Sequence, residues 1–255
     1  MGARLGQHFL FDPGILRRIA EAALPETGGT VLEIGPGRGT LTRALAARAA
    51  RVIAIETDRR LAAALVEDPP APNVEVIAGD ALKVPWPRAD VIAGNIPYRI
   101  TSPLIERALS PPRPARIVFL VQREVADRLA APPGNRAYGA LSAGVQLVAG
   151  VERLFTVKAG AFRPPPKVES AVVRISPFTV DRQPSAVDEV AARRLIQLLF
   201  QRRRQQLQRS VREVSGLDAA SAMDLIRAAG LDPLARHEQL SPSDFLTLAR
   251  HLPTT

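Results

Sequence analysis

The segment Asp90-Val-Ile-Ala-Gly-Asn-Ile-Pro-Tyr98 is a short apolar run that ends at a proline. The run is too short for a helix, and a residue before proline favours an extended backbone, so we predict a buried strand that opens into a loop at Asn95. Open α/β sheets bind ligands where their parallel strands end, which predicts a binding site there. The segment alone leaves one alternative open, a plain strand end with an Asx-type turn and a half-buried tyrosine.

Apolar runs rich in β-branched residues alternate with helical patterns on both sides of this segment. The predicted strands are residues 31–34, 52–55, 74–78, 91–93 and 117–121, and the predicted helices include 13–24, 41–49 and 61–66. This alternation is typical of a doubly wound, mostly parallel sheet, and we predict a Rossmann-like α/β fold. Two later runs, 145–154 and 168–175, flank a proline-rich turn and predict an antiparallel pair that closes the sheet.

A polar, proline-containing segment, residues 176–185, separates the α/β pattern from a purely helical one. Helical periods cover 187–212, as one helix or a pair, and 219–229. Ser241-Pro-Ser-Asp244 has the cap and first-turn residues of a further helix. We therefore predict an α/β domain at residues 1–180 and a small all-helical domain at residues 181–255.

The composition excludes several classes of site. The chain has 255 residues, of which 46% are hydrophobic and 23% charged, which is typical of a globular protein. It has no cysteine, and its three histidines are scattered, so we expect neither disulfides nor a metal site. No apolar run approaches the roughly 20 residues of a membrane span, and no targeting signal is recognisable at the N-terminus. We expect a soluble cytoplasmic protein without a membrane partner.

Basic residues exceed acidic ones and give a net charge of +9, nearly all of it from arginine. Arginine binds phosphate through two hydrogen bonds and stacks on bases, which favours a nucleic-acid partner, although arginine-rich codon usage gives the same composition. The helical domain concentrates this charge, and we predict that Arg202, Arg203 and Arg204 dock RNA, with a solvated surface as the alternative. The full cluster comprises Arg193, Arg194, Arg202, Arg203, Arg204, Arg209 and Arg212.

The loop Glu33-Ile-Gly-Pro-Gly-Arg-Gly39 follows the first predicted strand and opens a helix, and Glu56 ends the second strand. This arrangement is typical of a site for an adenosine-containing cofactor. The third glycine comes one residue too early for the dinucleotide pattern, and Glu33 would repel a pyrophosphate. A positively charged cofactor without phosphate fits better. We predict S-adenosylmethionine, the fold of the class I methyltransferases that use it, and Asp80 as an acceptor from the adenine amino group.

The strand end at Asn95 suits a nucleobase with an exocyclic amino group. The lone pair of that amine is delocalised into the ring, so catalysis must hold electron density on the nitrogen. We predict that the amide oxygen of Asn95 and a backbone carbonyl of Ile96 or Pro97 accept hydrogen bonds from the amine. The base must leave its stack, and we predict that Tyr98 and Phe162 sandwich it. A plain core position is the alternative for Phe162.

Several segments match the motifs of one family in the same order. Residues 6–10 resemble its G-Q-N-F-L, residues 33–39 its glycine loop, residues 95–98 its N-[LI]-P-Y, and residues 162–174 its F-x-P-x-P-K-V-x-S-x-V, while residues 199–204 and 231–240 match its C-terminal part. On these motifs the chain is identified as a member of the KsgA-type small-subunit ribosomal RNA adenine dimethyltransferases. The glycine loop is common to many methyltransferases, but the other segments in this order are specific.

The resemblance implies transfer of methyl groups from S-adenosylmethionine to N6 of two adjacent adenosines near the 3′ end of 16S ribosomal RNA. It implies a monomer that acts on immature small ribosomal subunits. His8 stands where the family usually has Asn, and Arg99 stands where it more often has Asn or an aromatic residue. The implied cofactor contacts are His8, Leu10, Gly35, Glu56, Asp80 and Asn95, beside Gly37 of the glycine loop.

Two other functions share these features. An erythromycin-resistance-type methyltransferase, which acts on large-subunit RNA, has the same fold and the Asn-Ile-Pro-Tyr sequence, but the C-terminal segments 199–204 and 231–240 argue against it. A non-catalytic RNA-binding assembly or transcription factor would keep the fold alone. The intact sequence from Asn95 to Tyr98 and the acidic Glu56 count against that interpretation.

Overall fold

The computed structural model describes residues 8–202 and 205–253, which fold into two compact units. The sheet unit contains residues 8–126 and 151–177, and the helical unit contains residues 127–150 and 178–253. The second part of the helical unit begins at Phe178, whereas the sequence predicts a boundary near residue 180. The helical unit also takes in residues 127–150, which the sequence pattern places in the α/β domain.

Within the described residues, seven strands form the main sheet, in the order β4-β3-β2-β5-β6-β9-β7. The pairs from β4 through β6 are parallel, and β9 runs antiparallel to β6. Two short strands, β1 and β8, form a separate antiparallel ribbon. The strands are β1 (Phe9–Leu10), β2 (Thr30–Ile34), β3 (Arg51–Glu56), β4 (Val74–Ala78), β5 (Val91–Asn95), β6 (Arg116–Gln122), β7 (Ala149–Val157), β8 (Phe162–Arg163) and β9 (Ser170–Pro177). The predicted Rossmann-like sheet is therefore confirmed.

The strand predicted in the segment 90–98 is β5, and contacts with β2 fix both of its ends. At its start, the Asp90 carboxylate accepts a hydrogen bond from the Thr30 amide at 2.8 Å, which sets the register with β2. Near its end, a Cβ atom on Gly94 would lie 2.5 Å from the backbone oxygen of Ile34. Only glycine allows that approach, which brings the end of β5 close to the end of β2.

Ten α-helices lie within the described residues, and their starts follow the capping residues of the sequence. The Asp12 carboxylate accepts from the Ile15 amide, and Ser241 and Asp244 form a reciprocal capping box, as predicted. The helices are α1 (Pro13–Ala23), α2 (Thr40–Ala46), α3 (Arg59–Glu67), α4 (Thr101–Ala108), α5 (Arg123–Ala130), α6 (Ala140–Gln146), α7 (Ala186–Phe200), α8 (Leu207–Ser215), α9 (Ala219–Ala228) and α10 (Pro242–His251). The helical pattern predicted over residues 187–212 corresponds to two helices, α7 and α8. None of these helices is long and apolar enough to cross a membrane.

The strand predicted at residues 145–154 is wrong in its first part, because the chain is helical up to Gln146 and β7 begins at Ala149. Ser142 stabilises the helix start, since its hydroxyl accepts from the Gly139 amide at 3.1 Å and donates to the Arg128 carbonyl. The apolar residues of this run fit a helical period as well as a strand period. Its second part, and the predicted run at 168–175, form neighbouring strands β7 and β9.

Each unit has its own core. In the sheet unit, α1 packs with the central strands, and Ile19, Val91 and Val118 are buried there. In the helical unit, the ring of Phe200 contacts those of Tyr138, His237 and Phe245 at centroid distances of 6.0, 5.0 and 5.9 Å. The Tyr138 hydroxyl also donates to the Leu240 carbonyl at 3.0 Å, so Tyr138 explains why residues 127–150 belong to the helical unit.

Candidate active site

Four adjacent parallel strands end at one edge of the sheet, where they surround a cavity of about 400 Å³. The strand order reverses between β2 and β5, which is where doubly wound sheets bind their ligands. Every cofactor residue predicted from the sequence lines this cavity, as do the four residues from Asn95 to Tyr98. The predicted lining residues are His8, Leu10, Gly35, Gly37, Glu56, Asp80, Asn95, Ile96, Pro97 and Tyr98.

The glycine loop is held against the end of β3 by Glu56. The Gly37 amide donates to Oε2 of Glu56 at 2.9 Å, and the Asp58 amide donates to Oε1 at 2.9 Å. Gly37 has a φ angle of 59°, and a Cβ atom there would lie 2.9 Å from the Phe9 ring, so a larger residue does not fit. Glu56 therefore shapes the loop and still presents free carboxylate lone pairs to the cavity.

Glu33 places a second carboxyl group under the same loop. Its side chain is 1% exposed, and its Oε2 atom has no hydrogen-bond partner within the described residues. Burial raises the pKa of Glu33 to about 8, and the neighbouring Glu56 carboxylate adds to this shift. The Thr42 hydroxyl lowers the pKa only in part, and a buried carboxyl group with an unpartnered oxygen is costly to ionise unless a cation lies beside it. This side of the cavity therefore suits a positively charged ligand and disfavours a pyrophosphate.

Asn95 has a defined orientation at the end of β5. Its Nδ2 atom donates to the backbone carbonyl of His8 at 2.8 Å, so its Oδ1 atom is the acceptor that remains for a ligand. The next residues form a turn in which the Pro97 carbonyl accepts from the Ile100 amide at 3.1 Å and from the Thr101 hydroxyl at 3.3 Å. Of the two predicted backbone acceptors, the Ile96 carbonyl is therefore the better candidate.

Tyr98 is half-buried beside Asn95 and is held at its hydroxyl end. Its hydroxyl forms a 2.8 Å hydrogen bond with the Ser170 hydroxyl on β9. The His8 ring lies 5.9 Å from the Tyr98 ring, at an interplanar angle of 32°. Burial raises the pKa of Tyr98, so its hydroxyl stays protonated at neutral pH. These contacts fix the ring at the mouth of the cavity, where it offers a flat surface for a base.

His8 and Leu10 reach the cavity on the β1–β8 ribbon. The Pro164 carbonyl can only accept, so Nδ1 of His8 donates to it across 2.8 Å, and Nε2 is left as an acceptor in the neutral ring. The Leu10 carbonyl accepts from the Thr40 hydroxyl at 2.8 Å, which ties the ribbon to the start of α2. The preceding motif residues, Gly6 and Gln7, lie outside the described residues.

Phe162 does not reach the cavity. Its side chain is 2% exposed and packs in the core of the sheet unit with Leu10, its partner in the ribbon. Phe162 is absent from the described cavity lining, so the structure does not bring it to Tyr98 as the predicted sandwich requires. Side chains alternate along a strand, so Phe162 and its neighbour Arg163 point to opposite sides of the ribbon, and the apolar side chain takes the buried side.

The arginine cluster lies in the helical unit, and only part of it is described. Arg203 and Arg204 lie outside the described residues. Arg202 is partly buried, its Nε atom lies 3.0 Å from a carboxylate oxygen of Glu213, and it also donates to the Leu198 carbonyl at 2.8 Å. Arg209 contacts the same carboxylate at 3.2 Å. Sequence reasoning missed Glu213, which offsets part of the charge of the cluster.

The sequence also matches a known protein family. The family model of ribosomal RNA adenine dimethylases matches residues 2–253. The chain belongs to this family. The match spans both units, so this dimethylase has the family sequence in the helical unit as well as at the cavity.

Individual relatives agree with the family assignment. The dimethylase is 41% identical over 251 residues to ribosomal RNA small subunit methyltransferase A of Phenylobacterium zucineum, covering 96% of this chain and 85% of the relative. The crystal structure of a dimethyladenosine transferase from Plasmodium falciparum aligns with a TM-score of 0.82 and 30% identity, over 94% of this chain and 96% of that one. The structure of the 23S rRNA methyltransferase ErmE aligns with a TM-score of 0.74 and 29% identity, over 96% and 99% of the two chains.

Proposed function

We propose that this dimethylase transfers methyl groups from S-adenosylmethionine to N6 of two adjacent adenosines near the 3′ end of small-subunit ribosomal RNA. The observation that carries the proposal is the hydrogen bond from the Asn95 amide nitrogen to the His8 carbonyl, which leaves the amide oxygen of this cavity-lining residue as the acceptor for a ligand. An acceptor at this strand end can bind an amino group. The family assignment identifies the class of nucleoside that carries it.

The cavity residues fit S-adenosylmethionine by their chemistry. Glu33 is a buried carboxyl group with an unpartnered oxygen, Glu56 ends β3, and Asp80 follows the end of β4. In the proposal, Glu56 accepts from the ribose hydroxyls, Asp80 from the adenine amino group, and Glu33 compensates the positive charge of the cofactor. When bound, S-adenosylmethionine supplies an electrophilic methyl group on a sulfonium sulfur.

Asn95 and Ile96 prepare the amine for reaction. In the first transfer, Oδ1 of Asn95 and the Ile96 carbonyl accept the two amine hydrogens, which keeps the nitrogen lone pair out of the ring and directs it away from both acceptors. In the second transfer, the monomethylated amine has one hydrogen left to donate to one of them. The nitrogen becomes far more acidic once it is alkylated, so its proton passes to solvent without a dedicated strong base. The half-buried ring of Tyr98, fixed by Ser170, stacks on the extruded base, and such stacking contributes roughly 1–3 kcal/mol.

Replacing Glu56 with alanine is expected to weaken S-adenosylmethionine binding by about 1.5–3 kcal/mol, because the variant cannot form charge-assisted hydrogen bonds to the ribose. It also cannot accept from the Gly37 amide of the glycine loop. RNA affinity should stay nearly unchanged. Titration calorimetry on the purified protein measures this, and Glu67→Ala is the matched control, since it removes an exposed carboxylate outside the cavity. Equal cofactor affinities for Glu56→Ala and the parent would remove Glu56 from the site.

The helical unit is proposed to dock the RNA through its arginine cluster. Neutralising Arg202, Arg203 and Arg204 together should weaken RNA binding, and the slope of log affinity against log salt should flatten by up to roughly 0.7–0.9 for each phosphate that is no longer neutralised. Cofactor affinity should not change. The matched control neutralises the exposed Arg17, Arg59 and Arg60 of the sheet unit, which changes the net charge equally. If both triple variants have the same salt slope as the parent, the cluster is a solvated surface.

We propose that the dimethylase acts as a monomer in the cytoplasm on immature small subunits. Methyl incorporation from labelled S-adenosylmethionine, measured on unmethylated small and large subunits in parallel, tests the choice of substrate. Incorporation into small subunits alone is expected. Incorporation confined to large subunits would instead favour a 23S rRNA methyltransferase such as ErmE, whose structure aligns less closely than the dimethyladenosine transferase.

A further inference from the structure

We propose that Phe11 and Arg163 form a stacking site for the unpaired nucleotide next to the adenosine in the cavity. This inference rests on the proposed function. It assigns a substrate contact to two positions that the matched motifs leave unspecified, since Phe11 follows the G-Q-N-F-L match and Arg163 is the first unspecified position of F-x-P-x-P-K-V.

The ribbon places Phe9 and Phe11 on one side. Phe9 pairs with Arg163 and Leu10 pairs with Phe162, and the Phe11 amide continues the ribbon by donating to the Ala161 carbonyl at 3.0 Å. Side chains alternate along an extended chain, and Leu10 is 2% exposed in the core. Phe9 and Phe11 therefore lie on the opposite side from Leu10, and both Phe9 and Leu10 line the cavity. The ribbon leads from the cavity to Phe11.

An arginine guanidinium lies over each of these two rings. The Arg38 guanidinium lies 4.9 Å from the centre of the Phe9 ring, and that of Arg163 lies 4.5 Å from the centre of the Phe11 ring. Phe11 nevertheless remains 41% exposed. The acidic neighbour, Asp12, uses a carboxylate oxygen to cap α1 through the Ile15 amide at 3.0 Å. The surface around Phe11 is thus aromatic and positively charged.

A nucleotide suits this combination better than a peptide or a lipid. Exposed aromatic rings stack on any base, and arginine adds a phosphate contact and a second flat surface. Arg99, on the cavity lining, adds a further exposed cation to the rim. If one of two adjacent adenosines occupies the cavity, its neighbour is held within one nucleotide of the cavity mouth. Phe9, on the ribbon side that carries Phe11, lines the cavity, so the neighbouring base is the occupant to which the proposal commits.

Steady-state methylation of unmethylated small subunits tests the site. Phe11→Leu keeps an apolar side chain but removes the ring, and it should raise KM for the subunit about tenfold with kcat little changed, because the stack forms equally in the ground and transition states. Phe11→Trp should restore KM. The control is Phe155→Leu, which also breaks an arginine–ring contact, since Arg18 lies 3.6 Å from the Phe155 ring centre. Phe155 lies outside the cavity lining.

A crosslink locates the occupant directly. With Phe11 replaced by p-benzoylphenylalanine, irradiation of the complex should attach the protein to a nucleotide adjacent to a methylated adenosine. A crosslink to a ribosomal protein or to distant RNA would overturn the proposal, as would a KM for Phe11→Leu equal to that of the parent. If the parent itself transfers no methyl groups to small subunits, the proposed function fails, which is a different result from an active parent insensitive to Phe11.

Discussion

Replacing Asn95 with alanine is expected to lower the rate of methyl transfer at least a hundredfold, while S-adenosylmethionine and RNA still bind. A hydrogen-bonding group that acts mainly on the transition state contributes roughly 10²–10³ in rate when it is preorganised. Asn95 is preorganised, because it lines the cavity and its Nδ2 atom donates to the His8 carbonyl at 2.8 Å, which leaves its Oδ1 atom as the free acceptor. Single-turnover kinetics with saturating RNA separates the chemical step from binding.

The variant Asn95→Asp sharpens this test. Aspartate keeps two acceptor oxygens but cannot donate to the His8 carbonyl, so it should retain part of the activity that alanine abolishes. Calorimetric measurement of cofactor affinity in both variants shows whether either substitution has displaced the β1–β8 ribbon. If Asn95→Ala keeps near-normal single-turnover rates, the amine is activated elsewhere and the role of Asn95 must be abandoned.

Replacing Glu33 with glutamine is expected to stabilise the cofactor-free protein at high pH while weakening cofactor binding. The folded-state pKa of about 8 lies above the ordinary value of 4.5, so between these values the folded state holds a proton that the unfolded state has released. Stability therefore falls as pH rises through this window, by about 5 kcal/mol in total at about 1.36 kcal/mol per unit of pKa. Glutamine mimics the neutral acid and avoids this decrease.

Denaturant unfolding of the parent and Glu33→Gln at pH 5 and pH 9 measures the effect on stability. The variant should gain stability over the parent at pH 9 relative to pH 5, whereas the control Glu67→Gln should not. Binding follows the opposite trend. At pH 8 the parent should bind S-adenosylmethionine at least tenfold more tightly than the variant, and the difference should shrink at pH 6, where Glu33 is protonated. Parallel stability curves for parent and variant at all pH values would show that Glu33 does not carry the raised pKa.

Much of the site could be predicted because it depends on short local patterns at strand ends. The apolar run before Asn95, the glycine loop after Glu33 and the acidic end of β3 each indicate a strand that stops at the same edge of the sheet. Parallel strands then bring these side chains together without any further information. The caps at Asp12 and Ser241 are local in the same sense, and both helices begin where those residues predict.

The features that sequence reasoning missed depend on contacts between distant segments. The side of the ribbon that Phe162 occupies is decided by its pairing with Leu10, more than 150 residues away, and no local pattern reports it. The bond between Glu56 and the Gly37 amide and the pairing of Arg202 with Glu213 are likewise tertiary contacts. Residues 127–150 are bound to the helical unit by a hydrogen bond from Tyr138 to the Leu240 carbonyl, which spans about 100 residues and leaves no trace in the local pattern.

The most direct test of the proposed function is a nucleotide-resolution map of N6,N6-dimethyladenosine in ribosomal RNA from cells that lack this protein. We expect two adjacent dimethyladenosines near the 3′ end of the small-subunit RNA to be missing, and to return when the parent gene is restored but not when Asn95→Ala is supplied. An unchanged small-subunit RNA, or an effect confined to large-subunit RNA, would contradict the account.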